Sequence, residues 1–158
     1  MAASRGMSVY DDVNGWQTEQ FLGQGEFYLD YGNYRMELTV PRDVIVVATG
    51  TLENPGDVLT AEQQARLNRA RTSEETVMII DRNEVGTPGS RPAGSGMLTW
   101  RFKADNVRDV SWAASRAFIW DAAGWDGTLV QSVYPHEGLG ADGKQGWEMS
   151  TQYLRHTI

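Results

Sequence analysis

The seven residues Tyr34-Arg35-Met36-Glu37-Leu38-Thr39-Val40 decide the fold class. Tyr34, Met36, Leu38 and Val40 alternate with Arg35, Glu37 and Thr39, and only an extended backbone puts the apolar set on one face and the polar set on the other. The run predicts a half-buried strand with Met36 and Leu38 inward and Arg35 and Glu37 outward. Upstream, Phe27, Leu29 and Tyr31 alternate with Tyr28 and Asp30, and Gly32-Asn33 between the two runs has turn chemistry. Downstream, Pro41 stops the strand and Arg42-Asp43 makes a short connection. Val44-Ile45-Val46-Val47 then reads as a strand buried on both faces. Two or three antiparallel strands in succession are expected here.

Working outward, residues 8–25 read as loop with short extended pieces, anchored by Trp16 and Phe21. Asn54-Pro55-Gly56 breaks the sheet. Thr60 has the place of a helix N-cap, with Gln63 three residues on completing a capping box and Glu62 in the first turn. A surface helix over 61–71 sets Leu59, Gln63, Leu67 and Ala70 to one side. Residues 77–80 are a short β-branched strand. Residues 86–96 hold four Gly and two Pro and read as a mobile loop. Over 97–107, Leu98, Trp100 and Phe102 point one way and Thr99, Arg101 and Lys103 the other. Val110, Trp112 and Ala114 favour a strand across 109–120, although its alanines and Ser115 tolerate a helix. Residues 129–134 form the last strand, ended by Pro135. A Gly-rich loop over 136–146 leads to a helix over 147–158 carrying Trp147, Tyr153 and Leu154. That helix has no Gly, Asn or Pro to close it and reads as interrupted. The expected fold is mainly β: an antiparallel sandwich or saddle-like sheet with one surface helix and a C-terminal helix. The expected divisions are an artificial or disordered start over 1–8, a β-domain over 9–146 and the beginning of a further helix over 147–158.

Composition narrows the partners. The chain has 158 residues and a formal net charge of -7. Such a surface repels a phosphate backbone unless a basic patch overrides it. Arg66, Arg69 and Arg71 cluster, but Glu62, Glu74 and Glu75 surround them, so no nucleic-acid partner is expected. No apolar run approaches the ~20 residues that span a bilayer, so no membrane partner is expected either. Met1 to Gly6 has no apolar stretch behind its one Arg and is not a signal peptide. The chain has no cysteine, which removes disulfides, thiolate zinc sites and cysteine nucleophiles.

The remaining chemistry is sparse. A hydrolytic zinc site needs three protein ligands, whereas His136 and His156 stand 20 positions apart with no HExxH; a loop His and a helix His on the surface is the expectation. Gly94-Ser95-Gly96 is too short for a nucleophile elbow. Asp11-Asp12 with Asn14 and Gly15 is similar to a calcium loop that lacks its later acidic ligand, and Glu26 and Asp30 are loop carboxylates. Gly23 and Gly25 lack the strand-to-helix setting of a phosphate loop. Six Trp, six Tyr and four Phe suit a peptide or carbohydrate platform; strands also favour aromatics, and Trp100, Phe102 and Trp112 are expected in the core. No catalytic, cofactor-binding or metal residue is assigned, and the chain alone is not expected to be an enzyme.

Five phrases in order carry a resemblance: VYDDVNGW (9–16), GEFYLDYGNY (25–34), TVPRDVIVVATGTLENP (39–55), TWRFKADNVRDVSWAASRAFIWDA (99–122) and SVYP (132–135). Together they resemble the amino-terminal domain of gluzincin zinc aminopeptidases, the aminopeptidase-N-like family, in its secreted bacterial form. The resemblance implies a saddle-shaped β-domain that packs on a thermolysin-like catalytic domain, with the helix over 147–158 leading into it. It also implies a secreted or periplasmic parent. The zinc, the HExxH helix, the distal Glu and the catalytic Tyr belong to that catalytic domain, so no functional residue transfers to a position here. The expected partners are that catalytic domain and, for the isolated chain, another copy of itself.

Overall fold

Extended backbone sends successive side chains to opposite faces, and residues 34–40 do so: Met36 and Leu38 turn toward the core while Arg35 and Glu37 face solvent. The computed structural model describes residues 2–5, 10–11, 13, 15–16, 30–141 and 145–158. Along them run strands β1 (Ala2–Arg5), β2 (Tyr10–Asp11), β3 (Gly15–Trp16), β4 (Gly32–Pro41), β5 (Ile45–Ala48) and β6 (Thr51–Leu52). Helices α1 (Pro55–Val58) and α2 (Ala61–Ala70) come next, followed by strands β7 (Val77–Ile80), β8 (Met97–Val107), β9 (Val110–Ser115), β10 (Ile119–Trp125) and β11 (Thr128–Tyr134), then helix α3 (Ser150–Thr157). The fold is mainly β and every described strand pairing is antiparallel.

Strand β4 pairs along its length with β8, inward row against inward row: Met36 faces Phe102, Leu38 faces Trp100 and Val40 faces Leu98. On the outer face Glu37 accepts from Arg101 at 3.3 Å, and the hydroxyls of Thr39 and Thr99 meet at 2.8 Å. One register therefore satisfies both faces, and a slip by one residue would turn both apolar rows to water. Strand β6 lies on the other side of β8, β9 sits between β1 and β5, β10 sits between β11 and β7, and β2 pairs with β3. Val46, Ile79, Ile80, Trp100 and Trp120 share one core. Burying Ile79 and Ile80 completely contributes about 1.5–3 kcal/mol each.

Helix α2 begins at the expected capping box: Thr60 Oγ1 accepts from Gln63 N, and Gln63 Oε1 accepts from Thr60 N. Gln63, Leu67 and Ala70 are buried against the sheet. Gly50, at φ +93°, makes the turn between β5 and β6, where a Cβ would stand 2.3 Å from the carbonyl oxygen of Lys103. Gly124 lets β10 pass the end of α2, where a Cβ would stand 2.4 Å from the Arg71 carbonyl oxygen.

Several expectations change. Strands β4 and β5 are consecutive but unpaired, because a turn closed by Val44 N on Pro41 O carries the chain from one sheet to another. Gly32-Asn33 lies within β4 at a register shift, where Asn33 Oδ1 accepts from Asn106 N, instead of forming a turn. The alternation at Phe27, Tyr28 and Leu29 lies outside the described residues. Asn54-Pro55-Gly56 opens α1, with Pro55 in the first turn where its missing N–H costs nothing. The expected single strand over 109–120 is two, β9 and the start of β10, separated at residues 116–118. The loop over 86–96 is pinned, with Ser90 and Arg91 buried. Residues 1–8, expected to be an artificial or disordered start, include β1, whose backbone pairs with β9.

Candidate functional site

The residues singled out in the sequence lie apart. His136 is exposed after β11, with Nε2 3.0 Å from the Arg82 carbonyl oxygen, and His156 is exposed on α3. Among the described residues no three of His, Asp and Glu are grouped to hold a metal. Asp11 is in β2, whereas Asp12, Asn14, Gly23, Gly25 and Glu26 lie outside the described residues. Asp30 accepts from Tyr31 N. The backbone carbonyl of Ser95, in the rejected nucleophile segment, accepts from Arg42 Nε. Arg66 is taken up by Glu62 and, through two nitrogens, by Glu84, so it forms no basic patch. Among the described residues no helix is long and apolar enough to cross a membrane.

Two constellations missed in the sequence appear instead. The first is a buried polar clasp under α3. Asp121, on β10, is 1% exposed and has no cation partner among the described residues. Tyr134 of β11 donates its hydroxyl to Asp121 Oδ2 at 2.5 Å, and Thr151 of α3 donates to Oδ1 at 2.5 Å. Thr151 Oγ1 also lies 2.8 Å from Ser132 Oγ. A hydroxyl has one hydrogen, so with Thr151 committed to the carboxylate, Ser132 supplies the hydrogen of the last contact. Burial pushes the Asp121 carboxyl above the usual carboxylate range, and the Thr151 and Tyr134 hydroxyls pull it part of the way back. Burial, then the hydrogen bond to Asp121, also raises the Tyr134 phenol. The clasp is sealed from solvent and fixes α3 on the sheet.

Beside the clasp, large apolar side chains stand in solvent among the polar Gln152, His156 and Thr157. Trp147 is 61% exposed, Tyr153 63% and Ile158 64%, with Leu154 also exposed. The Arg155 guanidinium lies 5.1 Å from the centre of the Trp125 ring and 3.9 Å from Glu74.

The second constellation is a cleft of about 720 Å³ between the turn after β4 and the loop over 86–96. Pro41, Ile45, Pro88, Pro92 and Ala93 give it apolar walls, and Arg42, Arg91 and Arg116 bring three positive charges against one, Asp43. Arg116 Nε pairs with Asp43. Arg42 is held by the carbonyls of Ser95 and Ala93 at 3.1 and 3.0 Å. Arg91, 9% exposed, donates to two neutral acceptors, Ser90 O and Gln63 Oε1, and its Nη1 has no partner among the described residues. Burial pushes the Arg91 guanidinium down to about 10, which leaves it charged at neutral pH. Gln63, read from the sequence as a cap on the same side of the helix as Leu67 and Ala70, also donates to Ser90 O at 2.7 Å and so ties the loop to α2.

Compared with protein-family models, with curated proteins and with solved structures, the chain matches none.

Proposed function

We propose that this chain is a non-catalytic β-domain of a zinc aminopeptidase-like protein, which supports and shapes the peptide cleft of a catalytic domain packed against it. The observation that carries this reading is the aromatic and aliphatic surface around α3, where Trp147, Tyr153, Leu154 and Ile158 stand in solvent. Side chains of this size gain about 1.5–3 kcal/mol each when covered, and an apolar surface of this kind marks a contact face. The five-phrase resemblance supplies the identity of the cover: in the aminopeptidase-N-like family the amino-terminal domain seats the catalytic domain. The zinc and the groups that act on the peptide then belong to that partner.

The test is to read the coding frame past Ile158 and, where it continues into HExxH with a distal Glu, to produce that segment separately. Mixing the two pieces is expected to give hydrolysis of an aminoacyl anilide that neither gives alone, with Leu154→Asp lowering it. A frame that continues into unrelated sequence sinks the reading. The second reading, an autonomous binding module for peptide or carbohydrate, draws on the Arg-lined cleft, which is a formed concavity away from α3.

A further inference from the structure

We propose that the cleft between residues 41–45 and 86–96 is a binding site for a small organic carboxylate carried on an apolar body. This goes beyond the aminopeptidase-like reading and does not depend on it, because no residue of α3 lines the cleft.

Charge is the first ground. The chain carries seven more acidic than basic side chains, yet this cleft gathers Arg42, Arg91 and Arg116 against Asp43 alone. Arg91 is the unusual member. A buried guanidinium is ordinarily paired with a carboxylate, but its two partners here are an amide oxygen and a backbone carbonyl. Its Nη1 is closed off from solvent, so Arg91 acts from behind the wall as a fixed positive charge in a medium that screens poorly. Direct contact falls to the other two. Arg42 uses Nε and Nη1 on the loop carbonyls, and Arg116 uses Nε on Asp43. A guanidinium has five N–H donors, so each keeps N–H groups for an incoming acceptor, and a carboxylate offers two oxygens for such donors.

Shape is the second ground. The Pro41, Pro88 and Pro92 rings with Ile45 and Ala93 give an inorganic anion nothing to bind, whereas an apolar group beside the carboxylate covers them. The volume of about 720 Å³ leaves room for an acylated amino acid. The walls are also held in place. Gln63 ties Ser90 and Arg91 to α2, and Arg42 ties residues 93–95 to the turn after β4, so binding does not have to order the loop.

The experiment titrates the purified chain, labelled with nitrogen-15, with N-acetyl-leucine, N-acetyl-leucinamide and inorganic phosphate, following the amides of Gly86, Gly94 and Gly96. N-acetyl-leucine is expected to shift these amides in a saturable way, and the other two are expected to bind at least tenfold more weakly. Arg42→Gln combined with Arg116→Gln is expected to weaken N-acetyl-leucine binding at least tenfold, while circular dichroism shows the fold retained. Arg116→Lys, which keeps the charge, is expected to lose less than Arg116→Gln. Equal binding of the amide overturns the role of charge, and equal binding of phosphate overturns the role of the apolar walls. Absence of saturable shifts at the three glycines, or unchanged binding by the folded double variant, overturns the site.

Discussion

Thr151 Oγ1, on the C-terminal helix, lies 2.5 Å from Asp121 Oδ1, on the central strand of its sheet, and both residues are closed to solvent. The contact joins two segments 30 positions apart in the chain. Replacing the hydroxyl by a methyl, Thr151→Val, keeps the shape but leaves the carboxylate one donor short and Ser132 without its partner. Unfolding in urea is expected to show a loss of about 1–3 kcal/mol, toward the upper end because a charged acceptor is left unsatisfied. Thr151→Ser keeps the hydroxyl and should lose only about 1 kcal/mol. Equal losses for the two variants would contradict the clasp.

The same carboxylate predicts a pH dependence. The Asp121 carboxyl is raised in the folded chain above its value of about 3.9 in an unfolded one. Between the two values the folded state holds the extra proton, so the contribution of this group to stability falls as pH rises through that window. Glu84 works the other way: its hydrogen bond from Arg66 holds it below the ordinary value, so its contribution is lost as pH falls. The comparison that isolates Asp121 is therefore wild type against Asp121→Asn, from about pH 4 to about pH 7. The wild type is expected to lose ground to the variant as pH rises; a gap that moves the opposite way would refute the assignment.

Gln63 closes the capping box and holds the loop over 86–96 by both ends of its amide. Gln63→Ala should therefore cost more than an ordinary cap, about 3 kcal/mol in all. Hydrogen exchange at Ser90 and Arg91 is expected to quicken along with that at the start of α2. Exchange confined to the helix would mean that the loop is held by something else.

Trp147, Tyr153 and Leu154 predict self-association of the isolated chain. Sedimentation at rising concentration is expected to show a dimer, and Leu154→Ser with Tyr153→Ser is expected to return it to monomer. A wild type that stays monomeric at millimolar concentration would remove the α3 surface as a contact face.

The isolated chain is also expected to hold no stoichiometric zinc and to leave aminoacyl anilides intact. One tightly held zinc per chain, lost in His136→Ala or His156→Ala, would reverse this. Both histidines are exposed, and the nearer contact of His136 is a backbone carbonyl.

Much of the fold was legible because alternation is a direct record of one-sided burial. Strand β8 coincides with the predicted 97–107, Leu98, Trp100 and Phe102 are buried as read, and the Thr60–Gln63 capping box is present. Pairing was not legible, since alternation tells which face is buried but not which strand lies alongside. Most of strand β10, beyond residue 120, escaped notice because a central strand buried on both faces, rich in Ala and Gly, has no alternation to detect. Its end was nevertheless signalled: Asp126 and Gly127, at φ 44° and 76°, form the two-residue turn into β11, and Asp-Gly is the sequence expected of such a hairpin. The clasp and the cleft had no local signature. Asp121, Ser132 and Thr151 are met singly along the chain, as are Arg42, Arg91 and Arg116, and only the fold brings each set together.

The long-range pairing of β4 with β8 has a consequence for the order in which the chain folds. The two threonines that meet across that pair are 60 residues apart. At a synthesis rate of about 5–20 residues per second, β4 leaves the ribosome roughly 3–12 seconds before its partner exists. Through that interval Met36, Leu38 and Val40 form an apolar row on an unpaired extended segment, the kind of edge that recruits neighbouring nascent chains. Arg35 and Glu37, which in the finished domain lie on its outer face, then act as gatekeepers, placing a charge on each side of Met36 until β8 arrives to cover the row.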